Sequence, residues 1–134
     1  MSELGQQRHR ARERALEILY EATIKERPVE EILQGLALAP DEYTVQLVTS
    51  TEAHRHEAEA LIEEFAQDWT LERLAVVDRI IMTLAIGEMF LVDSPPVGVV
   101  LDEAVELAKT FSTDASASFV NGVLSSCASR LAKL

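Results

Sequence analysis

Four arginines stand at alternate positions near the start of the chain, Arg8, Arg10, Arg12 and Arg14, and lead without a break into the apolar pattern of RHRARERALEILY over 8–20. Residues of this type suit phosphate, because each guanidinium stays charged and presents a fork of N–H donors that matches two oxygens. The surrounding chain has the opposite character. Its 134 residues hold 12 Lys+Arg against 23 Asp+Glu, a formal net charge of −11. Residues 1–14 set the four arginines against Glu3 and Glu13, a local +2, which leaves 8 basic and 21 acidic groups, or −13, for residues 15–134. A polyanion is therefore directed to the first helix, and most of the remaining surface suits a basic partner.

On a helix turning about 100° per residue, Arg8 and Arg12 project in the same arc as Ala11, Ala15, Ile18, Leu19 and Ala22. They continue the core-facing stripe backwards. An unpaired arginine cannot be buried cheaply, so the first two turns are expected to overhang the bundle or to flex, with Arg8 and Arg12 open to a ligand. Arg10 and Arg14 point nearly the opposite way, where pairing with Glu13, Glu17 or Glu21 is the plain alternative to binding. Cations at a helix N-terminus also oppose its macrodipole, a penalty that a phosphate reverses.

A second stretch with chemistry is FSTDASASFVNGVL, 111–124. Ser112, Thr113 and Asp114 are candidate caps, so a helix begins here with unpaired N–H groups beside the hydroxyls of Ser116 and Ser118, an end that can hold phosphate. Phe119 lies off the core line of Val120, Val123, Leu124, Cys127 and Leu131, and satellite core packing competes with base stacking as its role. Asn121-Gly122 is unfavourable inside a helix, which suggests a close backbone approach there. Glu88 shares a stripe with Val77, Ile81 and Leu84 and needs partners, either the start of the helix after Pro96 or an arginine. As a general acid it lacks a second carboxylate, histidine or nucleophile at a recognisable spacing. His54 and His56 face different sides of a helix and make a poor metal pair.

These groups must be positioned by helices. The composition is 48% hydrophobic but only 5% aromatic, with five glycines and no strand alternation, the profile of a soluble helical protein. Apolar spacing predicts helices over about 7–25, 28–36, 41–67 with a break near Ser50 and Thr51, a segment after Trp69 and the N-cap candidate Thr70, 97–110, and a last one after Ser112-Thr113-Asp114. Ser94-Pro95-Pro96 stops the helix that carries Val77 to Leu84. The expected fold is all-α, about seven helices in two small antiparallel bundles sharing one core, an N-terminal subdomain of about 1–68 and a C-terminal one of about 69–134. A single cysteine, Cys127, and no apolar signal segment point to a reducing, cytoplasmic setting without a membrane anchor.

Three segments together, RHRARERALEILYEA, VVDRIIMTLAIGEMFL and VVLDEAVELAKTFSTDASASFVNGVL, resemble the NusB family of bacterial transcription antitermination factors. The resemblance covers almost the whole chain, most loosely over 28–66. It implies an all-helical, non-enzymatic protein without cofactor that binds the boxA element of ribosomal RNA transcripts together with a ribosomal protein, NusE, and meets other Nus factors and RNA polymerase indirectly. By position it implies RNA contacts at Arg8, His9, Arg10, Arg12, Ser116, Ser118, Phe119 and Asn121, and NusE contacts at Tyr20, Glu72 and Asp78. The chain departs from some relatives with His9 inside an arginine run, and with Ala115 and Ser118 where those have an acid and a lysine. Two other readings are a NusB-like fragment of a ribosomal RNA cytosine methyltransferase, and a helical adaptor whose arginines serve surface pairing. The family contains both monomers and homodimers.

Overall fold

The computed structural model describes residues 2–67 and 71–132. Among these it contains seven α-helices, a short 3₁₀ turn at Leu71–Arg73 and no strand: α1 Glu3–Lys25, α2 Val29–Gln34, α3 Glu42–Ala53, α4 Arg55–Phe65, α5 Val76–Met89, α6 Val97–Phe111 and α7 Asp114–Ala132. Trp69 and Thr70 lie outside the described residues.

Local chemistry sets the boundaries. The Ser2 hydroxyl accepts the Gly5 N–H at 2.9 Å and starts α1 four residues before the predicted point, satisfying one of the helix's orphan donors. At the other end Glu26 adopts φ 53° and ψ 47°, and the N–H groups of Glu26 and Arg27 return to Thr23 and Ala22. This is a Schellman stop made without glycine, and Pro28 follows it. Asp41 caps α3 by accepting the Thr44 N–H at 2.9 Å.

The break between α3 and α4 falls at His54, beyond the predicted Ser50 and Thr51. Both hydroxyls are satisfied without interrupting the helix: Thr51 donates to the Leu47 carbonyl and Ser50 to the Gly87 carbonyl, each at 2.7 Å. A hydroxyl that bonds back or across has no need to compete with the helix ladder. His54 stacks on Phe90 with ring centroids 4.1 Å apart.

Helix α5 is the hub. Its residues Ile80 to Glu88 are buried on every side, as expected of a helix apolar all round, and it packs against α1, α3, α4, α6 and α7. One continuous apolar cluster runs from Ala11 on α1 to Cys127 on α7. The closest approach is at Gly87, where an added Cβ would lie 2.8 Å from the Thr51 Cα. Gly122, expected to mark such an approach, is exposed and has nothing within 4 Å of its added Cβ. The close backbone contact is real but lies between α3 and α5.

Among the polar groups buried in this core is a cation, Arg12. It is 3% exposed, and its Nε and Nη2 donate to both oxygens of Glu88 on α5 at 2.8 to 3.1 Å. At Arg12 the helix therefore does not overhang the bundle. The arginine continues the core stripe because its charge is met inside.

Two experiments follow from this packing. Gly87→Ala is expected to lower unfolding free energy by about 1–2 kcal/mol, overpacking outweighing the gain in helix propensity, whereas Gly122→Ala should raise it by about 0.5–1 kcal/mol; urea titration of both reads the opposite signs. Arg12→Met should cost about 3 kcal/mol or more by stranding Glu88, and Arg12→Met/Glu88→Leu should recover most of that loss in the same titration.

Candidate nucleic-acid interface

The basic end of α1 is built over a buried ionic cluster. Beyond Glu88, Arg12 directs Nη1 toward Oε1 of Glu103 on α6 at 3.3 Å. Oε2 of the same Glu103 lies 2.8 Å from Nδ1 of His9. Tyr43 on α3 donates its hydroxyl to Glu88, so one guanidinium and two carboxylates link four helices. Burial alone would lower the Arg12 pKa, but the hydrogen bonds and charge of Glu88, with that of Glu103, raise it above its ordinary value. Burial, followed by the hydrogen bond to Glu88, raises the pKa of the Tyr43 phenol and keeps it protonated.

Arg8, His9 and Arg10 sit above this cluster. Arg8 is half-buried, with its guanidinium carbon 4.8 Å from the centroid of the Tyr43 ring, within the range of a cation–π contact. His9 is bracketed by Glu103 and by Glu13, the latter at 3.7 Å. Arg10 is exposed and has no ion pair among the described residues. Arg14 pairs with Glu17 at 3.8 Å, so the surface-pairing reading holds for Arg14 and not for Arg10. Arg12 requires a correction: expected to be open to ligand, it is enclosed and its donors are spent on Glu88 and Glu103. A phosphate cannot reach it without breaking the core.

The start of α7 forms a hydroxyl cluster. Thr113 accepts the Ser116 N–H at 3.0 Å, and the hydroxyls of Ser112 and Thr113 each lie 3.1 Å from that of Ser116. Ser118 and Asn121 are exposed, whereas Phe119 is half-buried and packs against the core. Helix α6 joins this cluster to the arginine end: its Glu103 holds His9 and Arg12, and its last residue, Phe111, leads through Ser112 into α7.

Further along α1, Tyr20 is 41% exposed beside a groove lined by Leu16, Val77 and Phe111 and rimmed by Glu17 and Glu21. An apolar floor with an acidic edge suits a basic, partly apolar partner. Glu72 is exposed on the short turn before α5. Asp78, grouped with it by resemblance, is only 6% exposed, and its Oδ1 has no hydrogen-bond partner among the described residues. It is buried in the first turn of α5 and does not present an exposed carboxylate.

Sequence reasoning missed Glu103 and Tyr43. Glu103 interrupts the stripe of Val100, Ala104 and Leu107 as Glu88 interrupts its own, so the same argument applies to it. Nothing in the pattern around Tyr43 signals its bond to a glutamate 45 residues away.

The chain is 44% identical over 122 residues to "Transcription antitermination protein NusB" of Thermobifida fusca (strain YX), covering 88% of this chain and 86% of that one. It is 44% identical over 128 residues to the protein of the same name from Geobacillus kaustophilus (strain HTA426), covering 94% and 98%. The fold matches a solved structure described as "Crystal Structure of Antitermination Factors NusB and NusE in complex with dsRNA" with a TM-score of 0.79, 26% identity and coverage of 93% and 98%. The family model described as NusB family matches residues 9–129, most of the chain, and the protein belongs to the NusB family.

Proposed function

We propose that this protein is a non-enzymatic transcription antitermination factor that binds boxA-type RNA of ribosomal RNA transcripts together with the ribosomal protein NusE. The observation that carries the reading is the exposed Arg10 and half-buried Arg8 on the arginine-rich segment at the start of an acidic chain. Relatives named as transcription antitermination proteins and a neighbour solved as NusB and NusE with dsRNA support it.

In this reading Arg8 and Arg10 attract the phosphates, with His9 between them, and the hydroxyls at the start of α7 meet the strand farther along. Phosphate contacts set orientation, while sequence is read from unstacked bases and with the partner's help. The groove at Tyr20, with Glu17 and Glu21, receives NusE, and the exposed Glu72 offers it a further acidic group. No helix among the described residues is long and apolar enough to cross a membrane, which accords with action in the cytoplasm beside RNA polymerase and other Nus factors.

With Arg12 enclosed, two to three phosphate contacts remain, and log K should fall against log salt with a slope of about −1.5 to −2 on single-stranded RNA. Fluorescence anisotropy with boxA-type and scrambled RNA measures this. Arg8→Ala/Arg10→Ala is expected to flatten the slope by about 1.4 and to weaken binding to both RNAs; an unchanged slope overturns the placement. Tyr20→Ala should weaken NusE binding by about tenfold or more in calorimetry, as expected of a central aromatic anchor, with RNA binding by the protein alone preserved.

A further inference from the structure

Arg8 has acidic alternatives. The groove it lines with Tyr43 also contains Asp41, Glu42 and Asp93, together with Leu4, Gln7 and Gln46. Three carboxylates beside one arginine in a chain of net charge −11 would ordinarily capture it in an ion pair and cancel its attraction for phosphate. Yet Arg8 has no ion pair among the described residues. Its guanidinium lies over the Tyr43 ring.

The two arrangements differ in what they leave available. An ion pair commits the N–H donors of the guanidinium to a carboxylate, whereas the contact with the Tyr43 ring leaves them without a carboxylate acceptor. The ring is also held at both ends. Its hydroxyl is tied to Glu88, which is fixed in turn by Arg12. Its backbone lies in the first turn of α3, capped by Asp41 and packed on α5 where Gly87 meets Thr51. Asp41 is partly occupied by that cap, since it accepts the N–H of Thr44 and bonds its hydroxyl.

We propose that Tyr43 is a positioning residue for RNA binding, holding the Arg8 guanidinium over its ring and away from the neighbouring carboxylates so that its N–H donors stay open to phosphate. The inference rests on the reading of Arg8 as an RNA contact. The buried Arg12–Glu88 pair then has a surface consequence, because it fixes the ring on which the binding arginine rests. Such preorganisation strengthens binding without adding a contact to the ligand.

The test uses the full chain and single-stranded boxA-type RNA, followed by anisotropy at one salt concentration. Tyr43→Leu is expected to weaken binding by about threefold to fivefold, the size of an exposed cation–π contact, while Tyr43→Phe, which keeps the ring but releases its tie to Glu88, falls between Tyr43→Leu and the wild type. In an Arg8→Ala background Tyr43→Leu should have no further effect, since the two residues act as one unit. In NMR spectra the Arg8 side-chain methylenes should show an upfield ring-current shift in the wild type and Tyr43→Phe that disappears in Tyr43→Leu. This readout does not depend on RNA, and a loss of fold would not move it selectively. An equal loss from Tyr43→Leu with and without Arg8 overturns the positioning role, as does an unshifted Arg8 in the wild type. Wild-type affinity in Arg8→Ala would overturn the RNA reading of Arg8, and the proposal with it.

Discussion

A single buried guanidinium fixes the geometry at the basic end of the molecule. Arg12 is enclosed between α1, α5 and α6, and it can be there only because Glu88 and Glu103 accept its donors. A charge moved from water into a protein interior carries a penalty that close pairing must offset. That requirement is directional, unlike apolar contact. Sliding α1 by one residue along α5 would bring Ala11 or Glu13 opposite Glu88 and leave a carboxylate without its cation. The pair thus selects one register for α1, and the same register puts Arg8 one turn back at the rim of the core and Arg10 on the outside.

This cluster also sorts the charges of the surrounding surface. Glu88 and Glu103 are occupied by Arg12, Tyr43 and His9, Glu13 lies beside His9, and Glu17 pairs with Arg14. Four acids are engaged near the arginine end, and Arg8 and Arg10 remain without carboxylate partners among the described residues. Twelve residues separate Arg8 from Tyr20 on the same straight helix, a span of about 18 Å. In the proposed function, RNA and NusE therefore meet one rigid element at two points, and a partner seated at Tyr20 lies within reach of an RNA strand bound at Arg8.

The helices were legible because their ends carry explicit signals: Pro28, Asp41, the Ser94-Pro95-Pro96 run and the caps at 112–114. The α3–α4 break falls later than the sequence predicts because Ser50 and Thr51 find acceptors on α5 and within α3 and do not interrupt the helix. The sequence places Arg12 open to a ligand for a related reason. One helix shows that an arginine lies on the apolar stripe, but not that a glutamate 76 residues later lies opposite it. Both residues stand out as anomalies of their stripes, and an arginine is one of the two partners the sequence offers Glu88. What was not legible was that one anomaly resolves the other, since the match depends on the packing of α1 against α5. Gly122 and Gly87 make the same point for backbone, because a helical glycine reads alike in sequence whether it faces solvent or a neighbouring Cα.

Net charge gives a misleading picture of what such a protein can bind. At physiological ionic strength charges are screened over about 8 Å, less than half the distance from Arg8 to Tyr20 along α1. An RNA phosphate at the arginine end therefore responds mainly to Arg8, His9, Arg10 and the acids immediately around them, and only weakly to the −13 carried by residues 15–134. Within that range the decisive question is whether nearby carboxylates are already engaged and whether the cations are held away from those that are not. The buried cluster settles the first for Glu88 and Glu103, and the Tyr43 ring, in the inference drawn above, settles the second for Arg8. An acidic chain can in this way present a basic site without changing its overall charge, and keep the rest of its surface suited to a basic protein.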